Sequence, residues 1–389
     1  MRVAFIHSGY SRHLVSGIIR VETELVRALR ARGHVAEIMP WREDQDKALV
    51  QQQYWRIVRP ASSIYREVRD FITVGQYDLV VFQGVGYPET RALPWLKRET
   101  KAKFVVVQHG WSLYSPTTRF LVNSYMQAVG HILLAQADAI VAVSNYVKSH
   151  LATYSEPERI QVIYPGVDTE RFTQRTPHDK ALVRQRLGVR QPQVLFANGK
   201  LAAHKNIATL LRALQELPEA ELLLVGSGST TKEKVYKDLA QTLGVAARVQ
   251  FLGTVANERL PELYNAADLF VHAARSEALG IVLLEALACQ LPAVAPDVGG
   301  ISEAVISGFS GQLYQDPRDH LQLAQQVREL LANPERRAQF GRNGRAYVKA
   351  RFDWSTVIPQ YLQLFERVIK APRQTELQPQ DDGVFGAFA

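Results

Sequence analysis

The chain has 389 residues, of which 47% are hydrophobic and 22% charged, with a formal net charge of +8 and a pI near 9.5. This length allows two domains of ordinary size, and the composition is that of a globular protein in water. The positive charge favours anionic partners such as nucleotides or acidic lipid headgroups. No Lys/Arg run is long enough for a nucleic-acid-binding arm and no zinc or RNA-binding motif is present, so nucleic acid is not an expected partner.

The single cysteine, Cys289, excludes an intrachain disulfide and is compatible with a reducing compartment. No basic neighbour is visible in the sequence, so a buried structural thiol is favoured over a nucleophile. The N-terminus enters a strand directly and lacks the regions of a signal peptide. The most apolar stretch, residues 132–143, is interrupted by Gln136 and Asp138, so no membrane-spanning helix is expected. These features predict a cytoplasmic protein.

The first half of the chain alternates short apolar runs with amphipathic segments. Residues 3–6 form a run typical of a strand buried on both faces, residues 18–32 have the spacing of a helix, and residues 35–39 form a second strand. This order predicts a parallel sheet, in which ligands bind at the carboxyl ends of the strands. Gly17 stands after the first strand, where it would let a phosphate or sugar approach the backbone closely.

Further strands are predicted in this half, at residues 78–82, 104–107, 139–143 and 160–163. His109 follows the second of these strands and precedes a glycine, a position from which it can reach into a ligand site. A capping or core histidine is an equally good interpretation of the same pattern.

Residues 51–71 mix aromatic and basic side chains around Pro60. One interpretation is a surface that touches a membrane or a lipid-linked acceptor. The favoured alternative is a pair of helices, broken at the proline, whose aromatic sides pack on the sheet.

A second alternation begins after residues 173–193, a polar segment that suits a connection between domains and carries one helix. Its first strands are predicted at residues 194–197, 221–225 and 249–252. The loop after the first of them carries Lys200 and Lys205, two ammonium groups suited to a diphosphate. A dehydrogenase-type dinucleotide site is disfavoured, because Thr231 stands where the last glycine of G-x-G-x-x-G is needed.

The most informative stretch runs from Arg275 to Glu303. Its Leu- and Ala-rich part, from Ile281 onward, predicts a helix. Gly280 stands where the first free N–H groups of this helix point, and such a helix start binds anions. Glu277 lies just outside the helix and Glu285 about two turns further on. Two carboxylates around an anion site suit a ligand with both phosphate and hydroxyl groups, although a buried helix with two incidental acids is the plain alternative.

Several motifs of the chain occur together in one known family. These are Glu277 and Glu285 as Glu-x7-Glu, Gly299–Glu303 as Gly-Gly-x-x-Glu, Gly199–Leu201 with Lys205 downstream, Pro165–Asp168, and the strand-end His109. The chain thereby resembles the retaining glycosyltransferases of family 4, whose α/β GT-B fold has two facing Rossmann-like domains with a cleft between them. The resemblance extends to about residue 370 and is stronger in the second half.

Three positions depart from the family pattern. Lys200 stands where arginine is usual, which keeps the charge but loses the bidentate geometry. Ser16 and Gly17 stand where the family has a Gly-Gly pair, so the contacts of that loop stay open. Gln290 replaces a usual glycine, which we expect to be a surface change of little consequence.

The resemblance implies a role for each matching residue. Glu277 would contact the hydroxyls of the donor sugar, and Glu285 would hold the ribose. Lys200 and Lys205 would bind the diphosphate and support its departure, while His109 would line the sugar site from the facing domain. The remaining expected donor contacts are Gly17, Gly199 and the amides of Leu279, Gly280 and Ile281 near the phosphates, and the backbone of Leu252 near the base.

The resemblance also implies a division of the chain. The expected parts are an acceptor-side domain at 1–172, the connection at 173–193, a nucleotide-sugar-binding domain at 194–351, a C-terminal helix at 352–370 that returns to the first domain, and a disordered tail at 371–389.

The expected activity is retaining transfer of a hexosyl group from a nucleotide diphosphate sugar to an acceptor hydroxyl on a glycan, a lipid-linked sugar or a small molecule. Such an enzyme would serve polysaccharide biosynthesis, with no metal, no cofactor beyond the donor, and peripheral contact with the inner membrane face as an open option. Alternatives are an epimerase or hydrolase of the same fold, or a non-catalytic module that binds nucleotide sugars. The nucleotide, the sugar and the acceptor are not readable from the sequence.

Overall fold

The computed structural model describes residues 1–6, 17–39, 61–86, 88–110, 116–226 and 228–372. The chain divides into two compact units, each considered by itself below. The first unit comprises Met1–Trp111, Phe120–Tyr164 and Ile358–Ala389, and the second comprises Ser112–Arg119 and Pro165–Val357.

Parallel strands form the sheet of the first unit. Those described are β1 (Arg2–Ile6), β2 (Val35–Ile38), β3 (Leu79–Phe82), β4 (Lys103–Gln108), β5 (Ala139–Ala142) and β6 (Ile160–Val162). They pair in the order β2-β1-β3-β4-β5-β6. Every residue of β3 and β4 is buried, as expected for apolar strands that are covered on both faces. The parallel sheet predicted from the strand–helix alternation is confirmed.

α-Helices accompany the strands in this part of the chain. Those described between residues 17 and 151 are α1 (Gly17–Arg30), α2 (Ala61–Gly75), α3 (Leu93–Glu99), α4 (Pro116–Tyr125), α5 (His131–Gln136) and α6 (Asn145–Leu151). On α1, Val21, Leu25 and Leu29 are buried, as their helical spacing predicts.

Part of the aromatic and basic stretch at residues 51–71 belongs to α2. On this helix Val68 and Ile72 are buried, and the Tyr65 ring lies 6.0 Å from the Trp95 ring. This part of the stretch therefore packs against another helix of its unit, and the predicted packing of its aromatic sides on the sheet stays a prediction. Residues 51–60 lie outside the described residues.

The second unit contains another parallel sheet. Its described strands are β7 (Gln193–Asn198), β8 (Ala220–Val225), β9 (Val249–Gly253), β10 (Leu269–Val271), β11 (Ala293–Pro296) and β12 (Gly311–Tyr314). The order is β12-β11-β10-β7-β8-β9, so the chain crosses the sheet between β9 and β10. Pairing of Leu269 with Leu195 and of Phe270 with Phe196 aligns the carboxyl ends of β10 and β7. This alignment positions the site described below.

Helices accompany this second sheet. Those described between residues 177 and 352 are α7 (Pro177–Leu187), α8 (Ile207–Gln215), α9 (Thr230–Thr242), α10 (Leu260–Ala266), α11 (Ile281–Ala288), α12 (Ile301–Ala304), α13 (His320–Leu331) and α14 (Pro334–Phe352). The predicted connection at 173–193 carries α7, which starts at a capping box of Thr176 and Asp179. Lys180 and Arg184 pair with Asp268 at 2.8 and 2.7 Å, so this segment is built into the second unit.

The last helix of the described residues is α15 (Trp354–Lys370). From Ile358 onward the chain belongs to the first unit, where Arg367 donates a 2.8 Å hydrogen bond to the side chain of Gln161. Residues 373–389, which contain most of the predicted tail, lie outside the described residues, and the predicted domain bounds stay a prediction. None of the described helices has the length and apolar character needed to cross a membrane.

Candidate active site

Three loops of the second unit meet at one edge of its sheet. They follow β7, β10 and β11, which are neighbours in the sheet order and run parallel. Their carboxyl ends therefore lie side by side, which is where ligands bind in open α/β sheets. The loops carry the predicted residues Gly199, Lys200 and Lys205, then Glu277 to Gly280, and then Gly299 and Gly300.

Backbone hydrogen bonds fasten these loops to one another. The Arg275 N–H donates to the His204 carbonyl at 2.7 Å, which ties the second loop to the first. The Gly300 N–H donates to the Glu277 carbonyl at 3.0 Å, which ties the third loop to the second. The position of Glu277 is consequently fixed from both sides.

Close packing explains the two glycines of the third loop. A Cβ on Gly299 would lie 2.0 Å from the Glu277 carbonyl oxygen, and one on Gly300 would lie 2.1 Å from that of Ala278. Gly299 also has a φ of 63°, in the left-handed region that favours glycine. The Gly-Gly pair thus allows the backbone that carries Glu277 to rest against the third loop.

A charged cluster occupies the middle of this edge. Lys205 Nζ forms an ion pair with Glu277 Oε2, and His272 Nε2 lies 3.4 Å from the same oxygen. The side chains of Lys205 and Glu277 are 17% and 18% exposed, whereas that of His272 is 6% exposed. The lysine and the glutamate can therefore be reached from solvent, but the histidine lies beneath them.

Electrostatics keep Glu277 ionised. Burial alone would raise its pKa, but the charge of Lys205 and the contact with His272 outweigh burial and hold the pKa well below its ordinary value. Burial lowers the pKa of His272, and nearby Lys205 lowers it further, so the imidazole is neutral near pH 7. Burial and then Lys205 likewise lower the pKa of His204.

The first turn of α11 supplies backbone donors beside this cluster. Gly280 is its N-cap, with a φ of 92° and no side-chain cap. The first N–H groups of a helix lack an acceptor within the helix, so the amides that follow Gly280 are suited to an anion. Leu279 and Gly280 are buried and Ile281 is partly buried. Binding of an anion at this helix start stays a prediction.

Glu285 lies inside the protein in the second turn of α11. It is fully buried, and its Oε2 accepts a 2.7 Å hydrogen bond from the hydroxyl of Tyr264. The Asn198 side chain, at the end of β7, donates to the same hydroxyl at 3.2 Å. The ribose contact expected of Glu285 stays a prediction, since a ligand would have to reach this buried carboxylate.

The remaining predicted donor contacts of the second unit border the same edge. Gly199 lies directly after β7, and its N–H donates to the Val225 carbonyl at 3.0 Å. Lys200 is exposed in the next position, and Leu252 is partly buried near the carboxyl end of β9. Gly199 and Lys200 follow β7, whereas Leu252 lies in β9, which β8 separates from β7 in the same sheet.

Two predicted site residues belong to the first unit. Gly17 is the first residue of α1, and His109 follows β4 at the carboxyl end of its strand. The Nε2 of His109 lies 2.6 Å from the Oε1 of Gln83, a buried residue. Gln83 in turn affects Glu22 of α1, whose pKa is raised to about 8 by burial despite the Gln83 amide. A role of His109 beside Glu277 stays a prediction.

Two family models match the chain. The model described as Glycosyltransferase Family 4 matches residues 15–171, and the model described as Glycosyl transferases group 1 matches residues 179–347. A GDP-mannose-dependent alpha-(1-6)-phosphatidylinositol monomannoside mannosyltransferase of Mycolicibacterium smegmatis is 32% identical over 300 residues, which cover 73% of this chain and 75% of the relative. This chain belongs to glycosyltransferase family 4.

A further relative and two solved structures are also similar to this chain. A D-inositol 3-phosphate glycosyltransferase of Mycobacteroides abscessus is 36% identical over 62% of this chain, which spans only 53% of that relative. The sucrose-phosphate synthase of Thermosynechococcus elongatus has a TM-score of 0.81 at 21% identity and covers 95% of this chain and 100% of its own. HepE of Anabaena, solved with UDP and glucose, has a TM-score of 0.75 at 23% identity over 94% of this chain and 99% of its own. The fold is therefore GT-B.

Two residues of this family 4 site were not predicted from the sequence. His272 stands at the end of a three-residue strand and Tyr264 in the short helix α10. The one signal for His272 is its place five residues before Glu277, directly after an apolar run. Nothing in the sequence separates Tyr264 from the aromatic residues that only pack in the core.

Two further predictions concern the single cysteine and the absence of a metal ion from the reaction. Cys289 follows α11, is buried, and has a pKa raised to about 12 by burial, so the prediction of a structural thiol is confirmed. Within the described residues, no group of three or more His, Cys, Asp or Glu side chains is arranged to hold a metal ion. The expectation of metal-independent chemistry stays a prediction.

Proposed function

We propose that this chain is a retaining hexosyltransferase that uses a nucleotide diphosphate sugar as its donor. The observation that carries the proposal is the ionised Glu277 beside Lys205 at the carboxyl edge of the second sheet, next to the uncapped start of α11. This arrangement offers acceptors for sugar hydroxyls and donors for a diphosphate within one site.

The site must above all stabilise the departing diphosphate. As the bond from the anomeric carbon to the diphosphate breaks, negative charge grows on the diphosphate. Lys200, Lys205 and the first amides of α11 would stabilise this charge, because all of them lie at that edge of the sheet. No metal ion is part of the proposal.

Glu277 is assigned as a residue that positions the donor sugar. An ionised carboxylate accepts hydrogen bonds from sugar hydroxyls, and its low pKa keeps it in that form at working pH. In the proposed reaction the acceptor attacks the face from which the diphosphate leaves, and the diphosphate takes the acceptor proton. A covalent intermediate on Glu277 is therefore not required.

The opposite end of the donor is assigned to neighbouring elements. Glu285, oriented by Tyr264, would hold the ribose, and the backbone near Leu252 would meet the base. Gly199 would allow the phosphates to approach the β7 loop. Gly17 and His109 of the first unit would contribute the phosphate and sugar contacts that the resemblance implies.

GDP-mannose and UDP-glucose are the donors to test first. The relative from Mycolicibacterium smegmatis is named for GDP-mannose, and one structure of HepE contains UDP-glucose. The named acceptors of the relatives are a phosphatidylinositol monomannoside and an inositol phosphate, both anionic. The net charge of +8 suits such an acceptor, including a lipid at the inner membrane face.

A thermal-shift panel of GDP-, UDP- and ADP-sugars tests the proposal. A ligand at ~100 times its Kd stabilises a protein by about 2.7 kcal/mol, which is readily detected. We expect one nucleotide class to raise the Tm, and the rise to be lost in Lys200→Ala/Lys205→Ala. The exposed-lysine variant Lys234→Ala is the matched control and should keep the rise. Absence of any shift with all donors would contradict the proposal, and release of free sugar without an acceptor would favour a hydrolase.

A further inference from the structure

His272 is a buried polar residue to which the proposed function gives no role. It is 5% exposed, and none of the described residues makes a well-directed hydrogen bond to its Nε2. The nearest acceptor is Glu277 Oε2, at 3.4 Å. Leaving a buried imidazole nitrogen with so weak a partner is costly, so the position calls for an explanation.

The backbone of His272 is held by hydrogen bonds on both sides, and its ring packs on a neighbouring aromatic ring. The His272 N–H donates to the Val294 carbonyl at 2.9 Å, and the His272 carbonyl accepts from the Tyr314 hydroxyl at 3.2 Å. Its ring stacks on Phe270 with an interplanar angle of 22°. A buried ring on a backbone anchored in this way has little room to reorient, so it can hold a neighbour in place.

Lys205, by contrast, is able to change partners. It ends a one-turn 3-10 helix, Ala203–Lys205, and its ammonium group sits on a flexible stem. A diphosphate bound at the α11 start would compete with Glu277 for this ammonium. The Glu277 carboxylate would then lose its strongest partner at the moment when it must accept the sugar hydroxyls.

We propose that His272 is a positioning residue, which keeps Glu277 oriented toward the donor sugar when Lys205 turns to the diphosphate. The inference rests on the proposed function, because it assumes a nucleotide diphosphate sugar in this site. A neutral imidazole that faces a carboxylate oxygen must carry its proton on Nε2, so it acts as a hydrogen-bond donor. The charged or titratable groups around it are Glu277, Lys205 and His204.

The inference separates the two parts of the donor. The nucleoside diphosphate binds to Lys200, Lys205 and α11, none of which needs His272. The sugar binds to Glu277, whose orientation depends on His272. Loss of the imidazole should therefore weaken binding of the sugar nucleotide relative to the bare nucleotide.

Isothermal titration of the full chain with GDP, GDP-mannose, UDP and UDP-glucose tests this. In His272→Phe, which keeps a ring against Phe270, we expect the ratio of the sugar-nucleotide Kd to the nucleotide Kd to rise about tenfold, the usual effect of losing one hydrogen bond to a charged group. The Kd of the bare nucleotide should change less than about threefold. His272→Gln, which retains a donor, should recover most of the ratio, and His272→Leu replaces the phenylalanine variant if that fails to fold.

A merely structural role of His272 makes a different prediction. Tyr314→Phe removes the hydroxyl bound to the His272 carbonyl and loosens the same strand end without touching Glu277, so it should leave the ratio unchanged. An unchanged ratio in His272→Phe, or equal weakening of nucleotide and sugar nucleotide, would overturn the inference while the proposed function stands. Wild-type protein that binds no nucleoside diphosphate would overturn both.

Discussion

Lys205 and Glu277 are mutually dependent, because each side chain is less than one-fifth exposed and each neutralises the other. Removing one partner of such a pair leaves an uncompensated charge in a poorly solvated place. The pKa of Glu277 shows the balance, since burial pushes it up and Lys205 brings it below its ordinary value. The chemistry of the carboxylate thus depends on a residue 72 positions away in the sequence.

Lys205→Ala should lower turnover by about 10²–10³-fold, which corresponds to ~2–4 kcal/mol for one charge-stabilising donor. Without the lysine, burial dominates and the pKa of Glu277 rises. The acid side of the pH–rate profile should therefore move to higher pH. Steady-state rates from pH 5 to 8 with saturating donor measure both effects. Lys205→Arg keeps the charge and is the control, and an alanine variant with the wild-type rate and profile would contradict the assignment.

At the level of elements, the site depends on how three loops pack. Helix α11 and strand β11 bring Glu277 and the Gly299–Gly300 pair into backbone contact, with no space for a Cβ between them. Gln290, which stands where the family has glycine, has a φ of 57° and is one residue beyond the C-cap of α11. Glycine is less strained than glutamine in this left-handed backbone, and the expected small consequence of the change stays a prediction.

Gly299→Ala should destabilise the second unit and displace Glu277, because its Cβ would overlap the Glu277 carbonyl. Gly244→Ala is a matched control, since Gly244 has a similar φ of 70° but nothing within 4 Å of the added Cβ. Both variants carry the strain of a left-handed alanine, of about 1–2 kcal/mol. Urea unfolding should therefore show a larger decrease in the free energy of unfolding for Gly299→Ala than for Gly244→Ala. Only Gly299→Ala should also lose turnover. Equal decreases in the free energy of unfolding of the two variants would rule out the packing explanation.

Sequence patterns predict the elements of this site better than their arrangement. The apolar runs of β7 and β8 and the composition of α11 indicate their positions to within a few residues. No prediction covers β10, β11 or β12, although strands of the same length in the first unit are predicted. His272 lies near Lys205 only because β10 and β7 are neighbours in the sheet. That order is set by tertiary packing and is not visible in local periodicity.

On the scale of the whole molecule, each half of the chain builds a parallel sheet and each half matches a glycosyltransferase family model. The family resemblance predicted this repetition, whereas composition alone allowed only two domains. The two units differ in their buried charges. In the second unit Glu277 is ionised beside a lysine, while in the first unit Glu22 is fully buried on α1 and its pKa is raised to about 8.

The stability of the first unit should consequently fall as pH rises from about 4.5 to about 8. The pKa of Glu22 rises from 4.5 to about 8 on folding, chiefly through burial, so the folded state holds the proton more tightly. This contribution is complete below pH 4.5 and is lost as pH rises through 8. Glu22→Gln cannot ionise, so its Tm relative to wild type should be higher at pH 9 than at pH 6, by about 2–8 °C.

The control for this pH dependence is Glu24→Gln in the same helix, where Glu24 is partly exposed and pairs with Arg27. Its Tm difference from wild type should be the same at both pH values. Differential scanning calorimetry in matched buffers measures all three proteins. A Glu22→Gln difference that does not change between pH 6 and pH 9 would show that Glu22 does not hold its proton in the folded protein.

Retention at the anomeric carbon, with Glu277 positioning the donor sugar, is tested most directly by the product itself. Purified protein would be incubated with an α-configured donor, GDP-mannose or UDP-glucose, and an inositol phosphate acceptor, and the anomeric configuration of the product read by NMR. We expect an α-linked product whose rate of formation falls at least about 100-fold in Glu277→Gln. A β-linked product would contradict retention, and an unchanged rate in Glu277→Gln would contradict the role of Glu277.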